Sequence, residues 1–359
     1  MAEYRMFLEY VKPLLEWRSQ RLSWHIPFLA ALGVGSLVGL GVWCGQPRQG
    51  MLAATGAMVI LYLPQSLPSV AGRMVRLIIG SSGFVVSYVL GAASAFHLAS
   101  AAVMLGILTV LATTVCRWNR VAPPGSFFFV LTGAIACNAP FDPLAIPTNA
   151  GWVALGGATS CMVAFFYSVL TMSKEVIPSA PVAKDTRPAA ILVESSVIGF
   201  FVALSLLAAR LLKLENPYWV PVSCAAILQG GTFRAVWHRK VHRILGTAVG
   251  MGLSWFLFPP VPDPVALVGV VCVLVFVVEY LVPRHYGLAV IFITPLTVSF
   301  AEFSSGGVPI HGLFMTRLMD IALGSVIGAI GGWVLHHPQW CRGWEERVKR
   351  LPWTVLREG

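Results

Sequence analysis

Charge is confined in this chain. Of its 359 residues 57% are hydrophobic and only 11% are Asp, Glu, Lys or Arg, and the charges gather between apolar runs. That is too little charge to coat a soluble surface of this size, so the composition implies an all-α polytopic membrane protein. The net charge of +10 does not point to nucleic acid, because no soluble basic face exists to carry it. Membrane orientation explains it better. The seven cysteines are scattered without any C-x-x-C pair and read as small buried hydrophobes.

Taken in order, residues 1–25 mix aromatic, aliphatic and charged positions at helical spacing. They suit a cytoplasmic or interfacial amphipathic segment, with no signal peptide. Six apolar runs follow over 26–172: Ile26–Trp43, Met51–Leu63, Leu77–Phe96, Leu98–Cys116, Gly125–Cys137 and Gly151–Met172. A linker rich in proline and mixed charge occupies 173–188. A second set of six occupies 189–335: Ala189–Leu212, Val222–Gln229, Ile244–Phe258, Val265–Val282, Leu288–Phe303 and Leu313–Leu335. Residues 336–359 form a basic tail. The runs Met51–Leu63 and Val222–Gln229 are far shorter than the roughly 20 residues that a spanning helix needs. Irregular backbone at membrane depth survives only where protein or a water-filled cavity satisfies it, so both breaks are candidate substrate sites.

The two sets align at an offset of 165 to 170 residues. Gln46-Pro47 meets Asn216-Pro217, Arg76 with Gly83 meets Arg243 with Gly250, Arg117 meets Arg284, and Ala154-Leu155-Gly156 meets Ala322-Leu323-Gly324. Their common offset identifies an internal duplication, two parallel six-helix repeats giving about twelve transmembrane helices. With both termini in the cytoplasm, 21 of the 25 basic residues fall on the cytoplasmic side, leaving Arg48, Arg210, Lys213 and Arg317 opposite.

No phosphate-binding loop, nucleophile elbow or zinc spacing is present, so the sequence predicts neither an enzyme nor a metal or cofactor site. Charges within spans are the better clue, because an ionisable group in hydrocarbon costs roughly 2.5 to 3.5 kcal/mol. Arg317 and Asp320 stand three apart on one helical face. They read either as a substrate anchor with a proton carrier or as an intrahelical ion pair. Glu194 is a second relay candidate, whereas Glu279 is expected to snorkel or to pair with Arg284. The basic pairs Arg73 with Arg76 and Arg239 with Arg243 read as orientation and lipid-contact signals, or as an anion-attracting vestibule. Tyr218 and Trp219 read as interfacial aromatics or as a stacking surface for substrate.

The pattern Pro217-Tyr218-Trp219, Gln229, Thr232, Arg239, Arg243, Gly246-Thr247 and Gly250 resembles the fusaric acid resistance family of membrane proteins, which includes aromatic carboxylic acid exporters. Aluminium-activated malate transporters of plants look like more distant relatives. The resemblance implies a bacterial inner-membrane exporter of small organic anions, some members of which work with a periplasmic adaptor protein. Taken with the charges within spans, substrate binding is expected at Arg317, Arg243, Arg239, Arg76, Arg73, Gln229, Thr232, Tyr218 and Trp219, and proton coupling, read from the in-span carboxylates alone, at Asp320 and Glu194. An organic-anion channel and a non-transporting membrane scaffold are the alternative expectations.

Overall fold

The computed structural model describes residues 24–64, 69–171, 187–257, 263–305 and 310–337, with the single positions 17, 67, 343, 344, 346 and 347. The expected N-terminal amphipathic segment, most of the linker and most of the basic tail lie outside the described residues. Among those described there are twelve α-helices and no strand. They are α1 His25–Trp43, α2 Pro47–Ala57, α3 Val70–Ala93, α4 Leu98–Trp118, α5 Phe127–Cys137 and α6 Ala145–Thr171. The second set is α7 Pro188–Leu211, α8 Trp219–Leu228, α9 Phe233–Leu257, α10 Pro264–Leu281, α11 Tyr286–Ser305 and α12 Ile310–Leu335. Seven of them, α1, α3, α4, α6, α7, α10 and α12, carry windows long and apolar enough to cross a membrane on their own.

The remaining helices fall short for physical reasons visible in the sequence. Pro47 starts α2, which tightens into a 3₁₀ segment over Met58–Tyr62 before Pro64 prevents its continuation. Helix α8 ends at Gln229, ahead of the Gly230-Gly231 pair. Every residue of α8 is buried. Neither break is therefore an uninterrupted helix facing lipid. Two other helices begin earlier than their apolar runs: α9 at Phe233 instead of Ile244, and α3 at Val70 instead of Leu77. Hydropathy marks where a helix can meet lipid, whereas backbone bonding continues through Arg234–Arg243 and Arg73–Arg76, which thus become the first turns of long helices. Ser69 accepts a hydrogen bond from the Gly72 amide and caps α3.

Packing follows a matched pattern. Helix α2 packs on α1 and α6 as α8 packs on α7 and α12, and α3 meets α5 and α6 as α9 meets α11 and α12. Contacts between the two sets are equally paired: α10 lies on α1, and α4 lies on α7. A Cβ placed on Gly156 of α6 would overlap the carbonyl oxygen of Ala53 on α2. One on Gly324 of α12 would overlap that of Val220 on α8. Backbones this close need glycine at the crossing.

Two hydrophobic clusters form the interior. One gathers side chains of α1, α2, α3, α6 and α10, including Val38, Ala57, Phe84 and Val271. The other gathers α4, α5, α7 and α8, with Leu105, Val202, Leu206 and Leu228. The fourth helix of each set thus contributes to the cluster built on the first helix of the other, so neither set encloses a core alone.

Candidate functional site

Between these clusters lies a cavity of about 2280 Å³. Ligand pockets for small molecules run to roughly 300 to 1,000 Å³, so it exceeds what one small solute fills. Its wall draws on the first turn of α2 (Arg48) and the α5–α6 and α7–α8 connections (Asp142, Glu215), and also on the α4–α5, α8–α9 and α10–α11 connections (Arg120, Thr232, Arg284). Seven arginines line it against three carboxylates. An apolar and aromatic band, including Tyr62, Phe128, Phe129 and Trp219, makes up much of the rest. Within that band Phe84, itself fully buried, is edge-on to both Tyr62 and Phe129 at 5.8 and 4.8 Å between ring centroids.

Both broken helices end on the same turn. The Tyr62 hydroxyl, at the end of the 3₁₀ segment, donates to the Gly125 carbonyl at 2.7 Å. The Gln229 amide, capping α8, donates to the Pro124 carbonyl at 3.2 Å. Residues 105 and 63 positions away are thereby joined through one α4–α5 connection at the cavity wall.

Of the residues singled out in the sequence, Arg76, Tyr218, Trp219, Gln229, Thr232, Arg239 and Arg243 line the cavity. Arg243, only 4% exposed, donates from Nε to Ser223 on α8 at 3.0 Å and from Nη1 to the Tyr286 hydroxyl on α11 at 3.4 Å. One turn earlier Arg239 donates to the Ala226 carbonyl at 2.9 Å, and its guanidinium stands 5.3 Å from the centre of the Tyr286 ring. Ala226 is in the last turn of α8, whose carbonyls have no partner within the helix, so Arg239 completes that helix end. In the first set Arg73 acts in a parallel way, donating to the Leu67 carbonyl beyond α2 at 3.0 Å. Thr232 accepts a hydrogen bond from the Ala235 amide at 3.2 Å at the start of α9.

Four candidates, Arg73, Arg317, Asp320 and Glu194, do not line the cavity. Arg317 is buried with its guanidinium 3.7 Å from the centre of the Trp219 ring and bonded to the Thr297 hydroxyl. Trp219 and Thr297 do line the cavity, so Arg317 is one side chain removed from it. Asp320 is 1% exposed, and neither of its carboxylate oxygens, nor the Arg317 Nε, has a hydrogen-bond partner among the described residues. The expected direct ion pair between the two is absent there. Their charges still feel each other. Glu194 forms an ion pair with Arg117 across the α4–α7 contact, each side chain about one-third exposed. Exposed pairs of this kind contribute about 0 to 1 kcal/mol. Glu194→Gln is accordingly expected to lower thermal stability by no more than that range, read as a small shift in the unfolding midpoint of detergent-purified protein.

Sequence reasoning gave Glu279 a structural role, and it lines the cavity half-buried. It was expected to snorkel or to pair with Arg284. Instead the Arg284 guanidinium donates to the Tyr280 carbonyl at 2.6 Å and covers the Tyr280 ring at 3.8 Å. The signal was in the spacing. Arg284 is five residues on, past the helix end at Leu281, and misses the three- and four-residue spacings at which helical side chains meet.

These features define a multi-span helical membrane protein organised around a polar-and-aromatic cavity. Residues 202–331, from α7 to α12, match the family described as "Fusaric acid resistance protein-like", the resemblance read from the sequence. The chain is also similar to "Uncharacterized membrane protein YvaC" of Bacillus subtilis (strain 168), at 34% identity over 140 residues. That alignment covers 39% of this chain and spans only 22% of the length of the relative. No solved structure matches.

Proposed function

We propose that the protein exports small organic anions, with aromatic carboxylates as its main substrates, across the bacterial inner membrane. The observation that carries this reading is the cavity wall. Seven arginines against three carboxylates give the wall a net positive charge, with Arg239, Arg243 and Arg284 buried or half-buried on it, and the Tyr62, Phe129 and Trp219 rings supply faces on which a flat apolar body can rest. Arginine combines charge with a planar fork suited to carboxylates. The family description of residues 202–331 names resistance to fusaric acid, and export is one way to give resistance.

In this reading the two six-helix sets are parallel repeats, supported by the paired packing of α2 on α6 and α8 on α12 and by the matched glycine crossings. Twelve spans with both termini in the cytoplasm follow from the distribution of basic residues. Arg317 anchors substrate through Trp219, and proton antiport is the coupling, with Asp320 and Glu194 as proton carriers. A periplasmic adaptor of the kind the resemblance implies would carry the anion onward.

The test is flux into proteoliposomes with a panel of aromatic and aliphatic acids, with and without an imposed pH gradient, against protein-free vesicles. Saturable flux of aromatic acids that responds to the gradient is expected. A conductance indifferent to the gradient would instead assign an anion channel. No flux for any acid under either condition overturns transport and favours a scaffold.

A further inference from the structure

Three carboxylates share the cavity with the arginines, and their settings differ. Asp142 and Glu215 are exposed residues of connections between helices, and Asp142 accepts a hydrogen bond from the Leu144 amide at 3.0 Å. Glu279 is half-buried in the last turn of α10 beside Val275, Val278 and Val282, which also line the cavity. It has no hydrogen-bond or ion-pair partner among the described residues. A carboxylate kept in such a place at a cost of kilocalories is a functional candidate by default.

The groups facing it are few. Helix α1, which packs along α10, has His25 at its start, its ring against Trp24 and Tyr167, and no ionisable side chain from Ile26 to Trp43. Helix α11 contributes Tyr286 among its described side chains, and His285 precedes it. Tyr62 stands within electrostatic reach of both Glu279 and Cys116 of α4. Of the cations on that stretch of wall, Arg284 is turned onto Tyr280, and Arg120 belongs to the α4–α5 connection. Nothing on α10 or its neighbours neutralises the carboxylate directly.

We propose that Glu279 is a proton-binding site linked to the anion site of the same cavity, so that protonating Glu279 strengthens anion binding. The inference rests on the organic-anion reading above. An ionised Glu279 repels an anion held by Arg239 and Arg243 and competes for their field; the neutral acid does neither. The proton comes from water and returns to water, and no covalent bond of the substrate changes. Linkage makes the effect reciprocal: a bound anion favours the protonated form as much as the proton favours the anion. Proton and anion then occupy the cavity together, a linkage that favours cotransport through Glu279 over the antiport read above, and the direction of gradient-driven flux decides between them.

The test is equilibrium binding of benzenesulfonate, which stays singly charged across the working range, to the purified full chain in detergent by isothermal titration at a series of pH values. Wild-type affinity is expected to fall by about tenfold as Glu279 ionises. Glu279→Gln should bind at every pH as tightly as wild type does at low pH. Glu279→Asp retains a titrating group and should keep the pH dependence, which preserves the test if the glutamine variant does not fold. Asp142→Asn, at the exposed carboxylate of the α5–α6 connection, should keep it as well. Wild-type dependence persisting in Glu279→Gln, or vanishing in Asp142→Asn alone, overturns the proposal and leaves the transport reading standing. Absence of benzenesulfonate binding by wild type at every pH, together with no flux of any acid, overturns both.

Discussion

Gly156→Ala and Gly324→Ala are each expected to destabilise the protein by about 3 kcal/mol, the upper part of the range for forced overpacking. The added methyl would overlap a backbone carbonyl, that of Ala53 on α2 in one case and that of Val220 on α8 in the other. A backbone oxygen cannot rotate aside as a flexible side chain can. Relief requires α6 to move off α2, or α12 off α8, which unpacks the broken helices that wall the cavity. Gly151, on the same α6, has nothing within 4 Å of an added Cβ. Gly151→Ala should therefore be neutral or stabilise by roughly 0.5 to 1 kcal/mol through lower backbone entropy in the unfolded chain. Thermal unfolding of the three variants in detergent, followed by loss of the monodisperse peak in size-exclusion chromatography, checks the contrast. Equal tolerance of alanine at positions 151 and 156 would show that the close crossing is not required.

The same positions explain which parts of the fold could be read from sequence. Apolar runs locate helices because a helix in lipid must be apolar along its length, and ten of the twelve begin within six residues of their runs. The exceptions to close agreement are instructive. Helix α9 begins eleven residues before its run because arginines can be helical residues when their stems and forks find partners, as Arg239 does on Ala226. Hydropathy registers only the charge. The shortness of α2 and α8 was visible in their prolines and glycines, and their burial follows from it. What was not legible is which in-span charges meet the cavity. Arg317 and Asp320 share a helical face, yet the neighbour across from that face decides the outcome: Trp219 takes the Arg317 guanidinium, and Asp320 is left buried without a hydrogen-bond partner among the described residues. Glu279 looked peripheral because it is near a helix end. Its exposure to the cavity depends on the pairing of α10 with α1, a contact between residues more than two hundred positions apart.

Arg243→Met is expected to abolish anion binding without loss of folding. Arg243 is nearly fully enclosed, and it and Arg317 feel each other's positive charge. No carboxylate forms an ion pair with either among the described residues. A buried Arg243 with no carboxylate paired to it raises the free energy of the empty protein, and an organic anion entering the cavity lowers it. Truncating one side of a buried charge contact of this kind costs a ligand about 2 to 5 kcal/mol of binding, a loss of roughly 30-fold to several thousand-fold in affinity. The empty protein behaves oppositely. Methionine fills a similar volume and removes an uncompensated buried charge whose desolvation burdens the folded state, which offsets the loss of two hydrogen bonds to neutral hydroxyls. The unfolding midpoint without ligand should hold or rise, while the stabilisation that saturating benzenesulfonate gives the wild type disappears. Arg243→Lys keeps the charge as a point but loses the fork that reaches Ser223 and Tyr286 together, so it should bind anions at intermediate affinity. A purely structural arginine would give the reverse order: Arg243→Met would unfold at lower temperature, and whatever folded would bind anions as wild type does.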